Sequence, residues 1–170
     1  MVIWLIGISG AGKTTIGTKL SEKLQETRDC WGFLDGDNLR VVWGGELGHT
    51  ITDREVNAKR ISKLCQLLDK QNINVIASVL SIFPSWQDWN RKNLSSYIEV
   101  YVKADLNTVI DRDTKGLYEK AIKGNLKNVV GVDIEFPEPM KADIVINTSY
   151  DYETPEISAD RILNLIKKMR

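Results

Sequence analysis

The chain has 170 residues, and its 23 lysines and arginines balance its 23 aspartates and glutamates. A single domain spanning residues 1–170 is the simplest organisation for this length, while the lack of net charge and of any apolar stretch of about 18 residues gives no support for a nucleic-acid partner or a membrane span. Two cysteines, Cys30 and Cys65, are too few for a disulfide framework or a metal cluster, so we expect reduced, mostly buried thiols and a cytoplasmic protein.

Short apolar runs alternate with helical patterns along the chain. The predicted strands are mostly apolar on both faces, as buried parallel strands are. They are residues 2–6, 32–34, 75–80, 98–102 and 144–146. The alternation predicts an α/β fold in which helices flank a five-stranded parallel sheet. Because ligands of such sheets bind at the carboxyl ends of the strands, the polar residues that follow the strands are the candidate site.

Helices are predicted from apolar periodicity and from capping residues. The predicted helices are residues 14–25, 52–70 and 155–169. Thr52 and Glu55 have the spacing of a capping box, which predicts that the middle helix begins there. Thr154 is the expected N-cap of the last helix, and the proline that follows it suits a first helical turn.

A glycine-rich segment separates the first predicted strand from the first predicted helix. Residues 7–14 read Gly-Ile-Ser-Gly-Ala-Gly-Lys-Thr, which is the spacing of a phosphate-binding P-loop in the structural context that the motif requires. Backbone N–H groups and the helix N-terminus attract phosphate, Lys13 reaches the β- and γ-phosphates, and Thr14 binds Mg²⁺. We therefore predict binding of ATP and Mg²⁺. The predicted ATP-binding residues of this segment are Gly7, Ser9, Gly10, Ala11, Gly12, Lys13, Thr14 and Thr15.

Two carboxylates flank a glycine where the second predicted strand ends, Asp35 and Asp37. A kinase needs a carboxylate that orients the acceptor hydroxyl and accepts its proton, and another group that holds Mg²⁺ and its water. The third predicted strand is followed by Ser81 and not by an aspartate. Asp37 is therefore the expected catalytic carboxylate and, together with Thr14, the expected magnesium ligand, partly through water. Taken alone, the same pattern also fits a turn that caps a helix.

These segments together resemble the adenylylsulfate kinase family over residues 2–148. Besides the P-loop, the resemblance rests on Leu-Asp-Gly-Asp-Asn-Leu-Arg at 34–40, on Asp53-Arg54 with Asn57, and on the segment 112–121. That family transfers the γ-phosphate of ATP to the ribose 3′-hydroxyl of adenylyl sulfate. The resemblance implies a P-loop fold of the nucleoside-monophosphate-kinase type, a nucleotide as the small-molecule acceptor, and a homodimer.

The resemblance also implies roles for individual residues. Lys13 and Asp37 would be catalytic, and residues 112–131 would form a lid over ATP, with Arg112 and Lys115 near its phosphates or base. Arg40, Arg54 and Asn57 would hold the phosphate-bearing end of the acceptor. The expected acceptor-binding residues are Asp35, Asp37, Arg40, His49, Arg54, Asn57, Ser81, Lys115, Leu117 and Val129.

Departures from the family concentrate on the acceptor side. The family has phenylalanine where His49 stands after Leu-Gly, and a second phenylalanine in the lid where this chain has Val129. In the family these two aromatic rings sandwich the adenine of adenylyl sulfate, and losing them removes two stacking faces, each worth about 1 kcal/mol. An arginine of the family is also missing after Ser81. Trp43, Trp86 and Trp89 are candidates for a replacement stacking face.

A rebuilt base pocket beside an unchanged ATP site predicts the same reaction on a different nucleotide. The chain is similar to the cytidine diphosphoramidate kinases of bacterial capsule biosynthesis, which phosphorylate a cytidine 3′-hydroxyl, and His49 is a candidate partner for the cytosine edge. An adenylylsulfate kinase with an altered pocket is the first alternative. A non-catalytic nucleotide-binding module and a small-metabolite kinase of the gluconate or shikimate type are the others.

Overall fold

One parallel sheet forms the centre of the computed structural model, which describes residues 1–27, 29–113, 115–149 and 153–169. The strand order is β2-β3-β1-β4-β5, and every neighbouring pair is parallel. The strands are β1 Val2–Ile6, β2 Trp31–Asp35, β3 Asn74–Val79, β4 Tyr97–Lys103 and β5 Ile144–Asn147. All five predicted strands are confirmed, with bounds that differ by at most one residue at each end.

Helices cover both faces of the sheet. In the described part of the chain they are α1 Lys13–Gln25, α2 Gly36–Val42, α3 Ile51–Lys70, α4 Pro84–Asn93, α5 Leu106–Asp111, α6 Leu117–Ile122 and α7 Pro155–Met169. The three predicted helices are confirmed as α1, α3 and α7, whereas α2, α4, α5 and α6 were not predicted. None of the helices within the described ranges is both long and apolar enough to cross a membrane.

The apolar core lies on the two sides of β1, whose five residues are all buried. Ile3 and Leu5 point into a cluster that includes Ile16 of α1 and Ile162 of α7. Trp4 points the other way, into a second cluster supplied by α3. This alternation explains why the strand is apolar throughout, because each of its faces is covered by helices.

Three local expectations are decided by the geometry. Thr50, and not Thr52, is the N-cap of α3, and its Oγ1 accepts a hydrogen bond from the backbone N–H of Asp53 at 3.2 Å. Thr154 caps α7 as expected, because its Oγ1 accepts from the N–H of Ile157 at 3.3 Å. Cys65 is buried, but Cys30 is exposed, which corrects the expectation that both thiols are mostly buried.

Candidate active site

A cleft of about 580 Å³ opens at the carboxyl ends of the strands. The P-loop and the start of α1 form one wall, α2 and α3 form the second, and the predicted lid segment, residues 112–131, lines the third side. The structure brings most of the predicted site residues into this cleft. They are Ser9, Gly10, Gly12, Lys13, Thr14, Thr15, Asp35, Asp37, Arg40, His49, Arg54, Asn57, Arg112, Lys115, Leu117 and Val129.

The other predicted residues, Gly7, Ala11 and Ser81, are not among the residues that line the cleft. A Cβ at Gly7 would lie 2.4 Å from the carbonyl oxygen of Val102, so this glycine permits close packing against β4. Ala11 is fully buried. Ser81 is also buried, and its Oγ accepts a hydrogen bond from Nε2 of Gln87 at 3.3 Å, which corrects the expected acceptor-binding role of Ser81.

The P-loop ends where α1 begins. Lys13 is the first residue of α1, and its Nζ donates to the carbonyl oxygen of Ile8 at 2.8 Å, inside the same loop. Burial lowers the pKa of Lys13 to about 8, and the nearby carboxylates of Asp37 and Asp35 oppose that shift. The ammonium group is therefore still largely protonated at neutral pH and is held within a loop built to receive phosphate.

The two aspartates of the acidic segment have different surroundings. Oδ1 of Asp35 caps α2 by accepting from the N–H groups of Asp37 and Asn38 at 3.0 and 3.3 Å, so the helix-cap interpretation applies to this residue. Oδ2 of Asp35 accepts a hydrogen bond of 2.8 Å from Oγ1 of Thr14. The Asp37 side chain is 76% exposed, and Lys115 Nζ lies 3.8 Å from its Oδ2. Asp35, rather than Asp37, thus contacts the P-loop threonine.

Oxygen donors meet beside the P-loop threonine in the way that a magnesium site requires. Thr14 Oγ1 lies 2.8 Å from Asp35 Oδ2 and 3.5 Å from Ser78 Oγ. Hydroxyl and carboxylate oxygens are the protein ligands that Mg²⁺ prefers, and the ion usually keeps several waters and binds substrate phosphates as well. The residues present therefore fit Mg²⁺, although the described residues include no cluster of three or more histidine, cysteine or acidic side chains.

Two arginines hold the loop that carries His49. Arg40 donates through Nη1 to the carbonyl oxygen of Gly48 at 2.6 Å, and Arg54 donates through Nε to the carbonyl oxygen of His49 at 2.9 Å. Arg54 also donates through Nη2 to the carbonyl oxygen of Asn128 in the lid, at 2.7 Å. Burial lowers the pKa of His49, and the charges of Arg40 and Arg54 lower it further, so the imidazole is neutral at pH 7.

The lid segment packs onto the P-loop through α6. The carboxylate of Asp113 accepts from the N–H groups of Leu117, Tyr118 and Glu119 and so caps this helix. The hydroxyl of Tyr118 donates to the carbonyl oxygen of Ser9 at 2.8 Å. Thr114, which falls within the predicted lid, lies outside the described residues.

Several residues at this site received no role from the sequence. They are Ser78, Asp113, Tyr118, Asp133 and Thr148. Tyr118 lies in the Lys-Gly-Leu-Tyr motif, which is part of the segment 112–121 on which the family resemblance rests. This motif is the sequence feature from which a role for Tyr118 could have been predicted. Asp133 accepts from the N–H groups of Asn128 and Val129 and holds the end of the lid beside the cleft.

No tryptophan in the described ranges lines the cleft. Trp43 donates through Nε1 to Oδ1 of Asn57 at 3.1 Å and therefore packs behind a residue that does line it. Trp86 and Trp89 pack against each other with ring centroids 5.6 Å apart. The structure thus gives none of the three candidates a stacking face in the cleft.

The sequence and the fold are similar to those of known kinases. Residues 1–147 match a family model described as adenylylsulphate kinase. The chain is 45% identical over 151 residues to a cytidine diphosphoramidate kinase of Campylobacter jejuni, covering 87% of this chain and 86% of that one. It is 37% identical over 169 residues to an adenylyl-sulfate kinase of Rippkaea orientalis, covering 99% and 92%. A solved structure of the Mycobacterium tuberculosis APS kinase in complex with AMPPNP and APS superposes with a TM-score of 0.88 at 28% identity, covering 98% and 96%.

Proposed function

The chain belongs to the adenylylsulphate kinase family, and we propose that it transfers the γ-phosphate of ATP to the 3′-hydroxyl of cytidine diphosphoramidate. As a member of this family the chain is a phosphotransferase that acts on a hydroxyl group. The observation that carries the proposed acceptor is the composition of the cleft, where His49 and Val129 stand at the two positions at which the family has stacking phenylalanines. The 45% identity to the Campylobacter jejuni enzyme, against 37% to the Rippkaea orientalis enzyme, supports the same choice.

The ATP side of the cleft derives its chemistry from the P-loop and the start of α1. The N–H groups of the first turn of α1 lack partners within the helix and favour a bound phosphate. The Lys13 ammonium lies in the same loop and balances the charge that develops on the transferred phosphoryl group. Arg112 and Lys115 line the cleft from the lid and add positive charge on the opposite side.

The magnesium side of the site is assigned to Thr14 and Asp35. The hydrogen bond between them fixes the threonine hydroxyl at the end of β2, and Asp35 is itself fixed by capping α2. When bound, Mg²⁺ neutralises charge on the β- and γ-phosphate oxygens of ATP. We therefore assign the magnesium-side carboxylate to Asp35, and not to Asp37 as the sequence suggested.

Asp37 is the proposed general base and orienting group for the acceptor hydroxyl. Its carboxylate lines the cleft without capping a helix, and it is exposed toward the space that an acceptor would fill. A carboxylate at this position accepts the hydroxyl proton while the oxygen attacks the γ-phosphorus, and the γ-phosphoryl bond to ADP breaks. Closure of the lid excludes water, which would otherwise compete as the acceptor.

A second acceptor, adenylyl sulfate, is favoured by a specific observation. The TM-score of 0.88 to an APS kinase in complex with AMPPNP and APS extends over nearly the whole of both chains. The arginines that the family resemblance assigns to the acceptor, Arg40 and Arg54, also line the cleft and suit an anionic group on either nucleotide. Discrimination between cytidine diphosphoramidate and adenylyl sulfate therefore depends on contacts with the base of the acceptor and not on contacts with its charged end.

Steady-state assays with each acceptor alone test this proposal. ADP release is followed with Mg·ATP and either cytidine diphosphoramidate or adenylyl sulfate, and the 3′-deoxy analogue of each acceptor serves as a matched control. We expect a larger kcat/KM for the cytidine compound and no product from its 3′-deoxy analogue. Product from the 3′-deoxy analogue would contradict the 3′-hydroxyl assignment, and ADP release without any product would favour a hydrolase.

The homodimer and the cytoplasmic location remain predictions for this chain. Light scattering of the purified protein tests the first, and fractionation of the native cells tests the second. A monomer at the concentration of the assay would show that the cleft is complete within one copy.

A further inference from the structure

Two backbone carbonyls of the P-loop are held from outside the loop by hydroxyl groups. Tyr118 of α6 donates to the carbonyl oxygen of Ser9 at 2.8 Å. Thr148, which directly follows β5, donates through Oγ1 to the carbonyl oxygen of Ala11 at 2.8 Å. Both donors are buried, with 1% and 7% of their surfaces exposed, so water does not compete strongly for these bonds.

The Thr148 hydroxyl lies within hydrogen-bond distance of two backbone carbonyl oxygens. Its Oγ1 also lies 3.2 Å from the carbonyl oxygen of Lys103. A hydroxyl has one proton to donate, so the shorter contact to Ala11 takes it. We refer to the Tyr118 and Thr148 hydroxyls as the two braces.

Each brace fixes the direction of one peptide plane. The peptide bonds of the described chain are all trans, and in a planar trans peptide the C=O of one residue and the N–H of the next point in opposite directions. Holding the Ser9 carbonyl toward Tyr118 therefore turns the N–H of Gly10 away from Tyr118. Holding the Ala11 carbonyl toward Thr148 turns the N–H of Gly12 away from Thr148 in the same manner.

The two glycines that follow the carbonyls of Ser9 and Ala11 both have unusual backbone conformations. Gly10 and Gly12 have φ angles of +77° and +93°, which other residues rarely adopt. Both glycines line the cleft, and within the described ranges neither N–H donates a hydrogen bond to the protein. Gly10 is exposed and Gly12 is half-buried, so both N–H groups are accessible to a ligand that enters the cleft.

We propose that Tyr118 and Thr148 are positioning residues that aim the N–H groups of Gly10 and Gly12 at the phosphates of ATP. The proposal rests on the ATP binding of the proposed function and adds two residues that act through backbone carbonyl groups of the P-loop. The Thr148 brace is anchored at the edge of the sheet. The Tyr118 brace belongs to the lid, so the Gly10 N–H is aimed only while α6 lies on the P-loop.

The lid therefore controls the shape of the phosphate site as well as access to it. The carboxylate of Asp113 caps α6 and so fixes the helix that carries Tyr118. The ring of Tyr118 lies in the main apolar core while its hydroxyl reaches Ser9. Movement of α6 away from the P-loop would break that hydrogen bond and release the Ser9–Gly10 peptide to rotate.

Removing one hydroxyl tests the Tyr118 brace with little change in packing. The Tyr118→Phe variant keeps the buried ring, and equilibrium binding of ATP, ADP and AMP is measured by calorimetry. We expect binding of ATP and ADP to weaken by roughly 3- to 10-fold, the effect of one modest hydrogen bond. AMP, which lacks the β- and γ-phosphates, should bind with unchanged affinity.

Matched controls separate positioning from general destabilisation. Tyr101→Phe removes another buried tyrosine hydroxyl, which donates to Oε1 of Glu138 at 3.1 Å and to no P-loop carbonyl, and should leave all three affinities unchanged. Thr148→Val tests the second brace, and Thr148→Ser, which keeps the hydroxyl, should restore ATP binding. Thr108→Val is its control, because the buried Oγ1 of Thr108 has no hydrogen-bond partner among the residues that the structure describes.

Each outcome of these binding measurements either supports or overturns the proposed positioning roles. Equal ATP affinity in Tyr118→Phe and Tyr101→Phe would overturn the Tyr118 brace, and so would a loss that is the same for AMP as for ATP. If Tyr118→Phe does not fold, the comparison of Thr148→Val with Thr148→Ser decides in its place, and equal ATP affinity in that pair would overturn the proposal. Wild-type protein that binds no ATP would instead overturn the proposed function, and the braces with it.

Discussion

Thr14 donates a hydrogen bond of 2.8 Å from Oγ1 to Oδ2 of Asp35. This bond joins the first turn of α1 to the end of β2, so the P-loop and the acidic segment are held as one unit. The second carboxylate oxygen of Asp35 caps α2. The two aspartates therefore differ in their surroundings, because Asp35 is fixed by these contacts and Asp37 is exposed in the cleft, and this difference is the basis of the separate roles that we propose for them.

Replacing Asp37 by alanine is expected to lower kcat by roughly 10²-fold or more, the usual scale for a positioned acid–base group. The KM for ATP should change little, because Asp37 does not contact the P-loop threonine. Stopped-assay kinetics at saturating ATP measure both constants. A near-wild-type kcat would show that another group accepts the proton.

Replacing Asp35 by asparagine is expected to raise the Mg²⁺ concentration required for half-maximal activity by roughly 10-fold or more. Asparagine caps helices about as well as aspartate, so the melting temperature should stay close to that of the wild type and the loss can be ascribed to the missing charge. Activity is titrated with Mg²⁺ at fixed ATP. An unchanged Mg²⁺ requirement would remove Asp35 from the magnesium side.

The pKa of Lys13, lowered by burial to about 8, predicts a pH dependence for ATP capture by the free enzyme. The lysine is protonated below this value and loses its charge as the pH rises through it, so kcat/KM for ATP should fall above about pH 8. Lys13→Ala should abolish turnover. Affinity for ATP measured between pH 6 and 10 checks the prediction, and a flat profile would contradict it.

Substituting aromatic residues at the two altered positions is expected to move the acceptor preference toward adenylyl sulfate. His49→Phe with Val129→Phe restores the two stacking faces, and at about 1 kcal/mol for each face the ratio of kcat/KM values should shift by roughly 10- to 30-fold. Val132→Phe, at a partly exposed position outside the cleft, is the matched control. An unchanged ratio would mean that other residues select the base.

The sequence predicted the sheet and the phosphate site well because both have strong local signals. The strands are short and mostly apolar, and Gly7, Gly12 and Lys13 stand at a spacing that few other structures need. The short helices α2, α4, α5 and α6 were missed because their six to ten residues carry mixed polar patterns and rely on tertiary contacts.

Other features depended on geometry that spacing does not contain. Thr50-x-x-Asp53 and Thr52-x-x-Glu55 are both plausible starts for α3, and only the structure shows that Thr50 makes the cap. The separate roles that we propose for Asp35 and Asp37 depend on which of them caps α2. Ser81 was expected in the cleft because it follows a strand, but β3 ends at Val79 and the chain turns so that Gln87 of α4 binds Ser81.

The position of Ser81 yields a further prediction. Ser81→Ala should leave the KM for the acceptor within about twofold of the wild-type value, because Ser81 is buried and outside the cleft, and the lost hydrogen bond to Gln87 should lower stability by about 1 kcal/mol. Kinetics and thermal unfolding of the same preparation measure the two effects. A large rise in the acceptor KM would restore the acceptor-binding role.

Competition between the two acceptors is the sharpest test of which nucleotide this kinase phosphorylates. Cytidine diphosphoramidate and adenylyl sulfate are supplied together at equal concentration with limiting Mg·ATP, and the ratio of the two 3′-phosphorylated products gives the ratio of their kcat/KM values without separate rate measurements. We expect the cytidine product to dominate. A dominant adenylyl product would contradict this expectation and would show that His49 and Val129 do not exclude adenine.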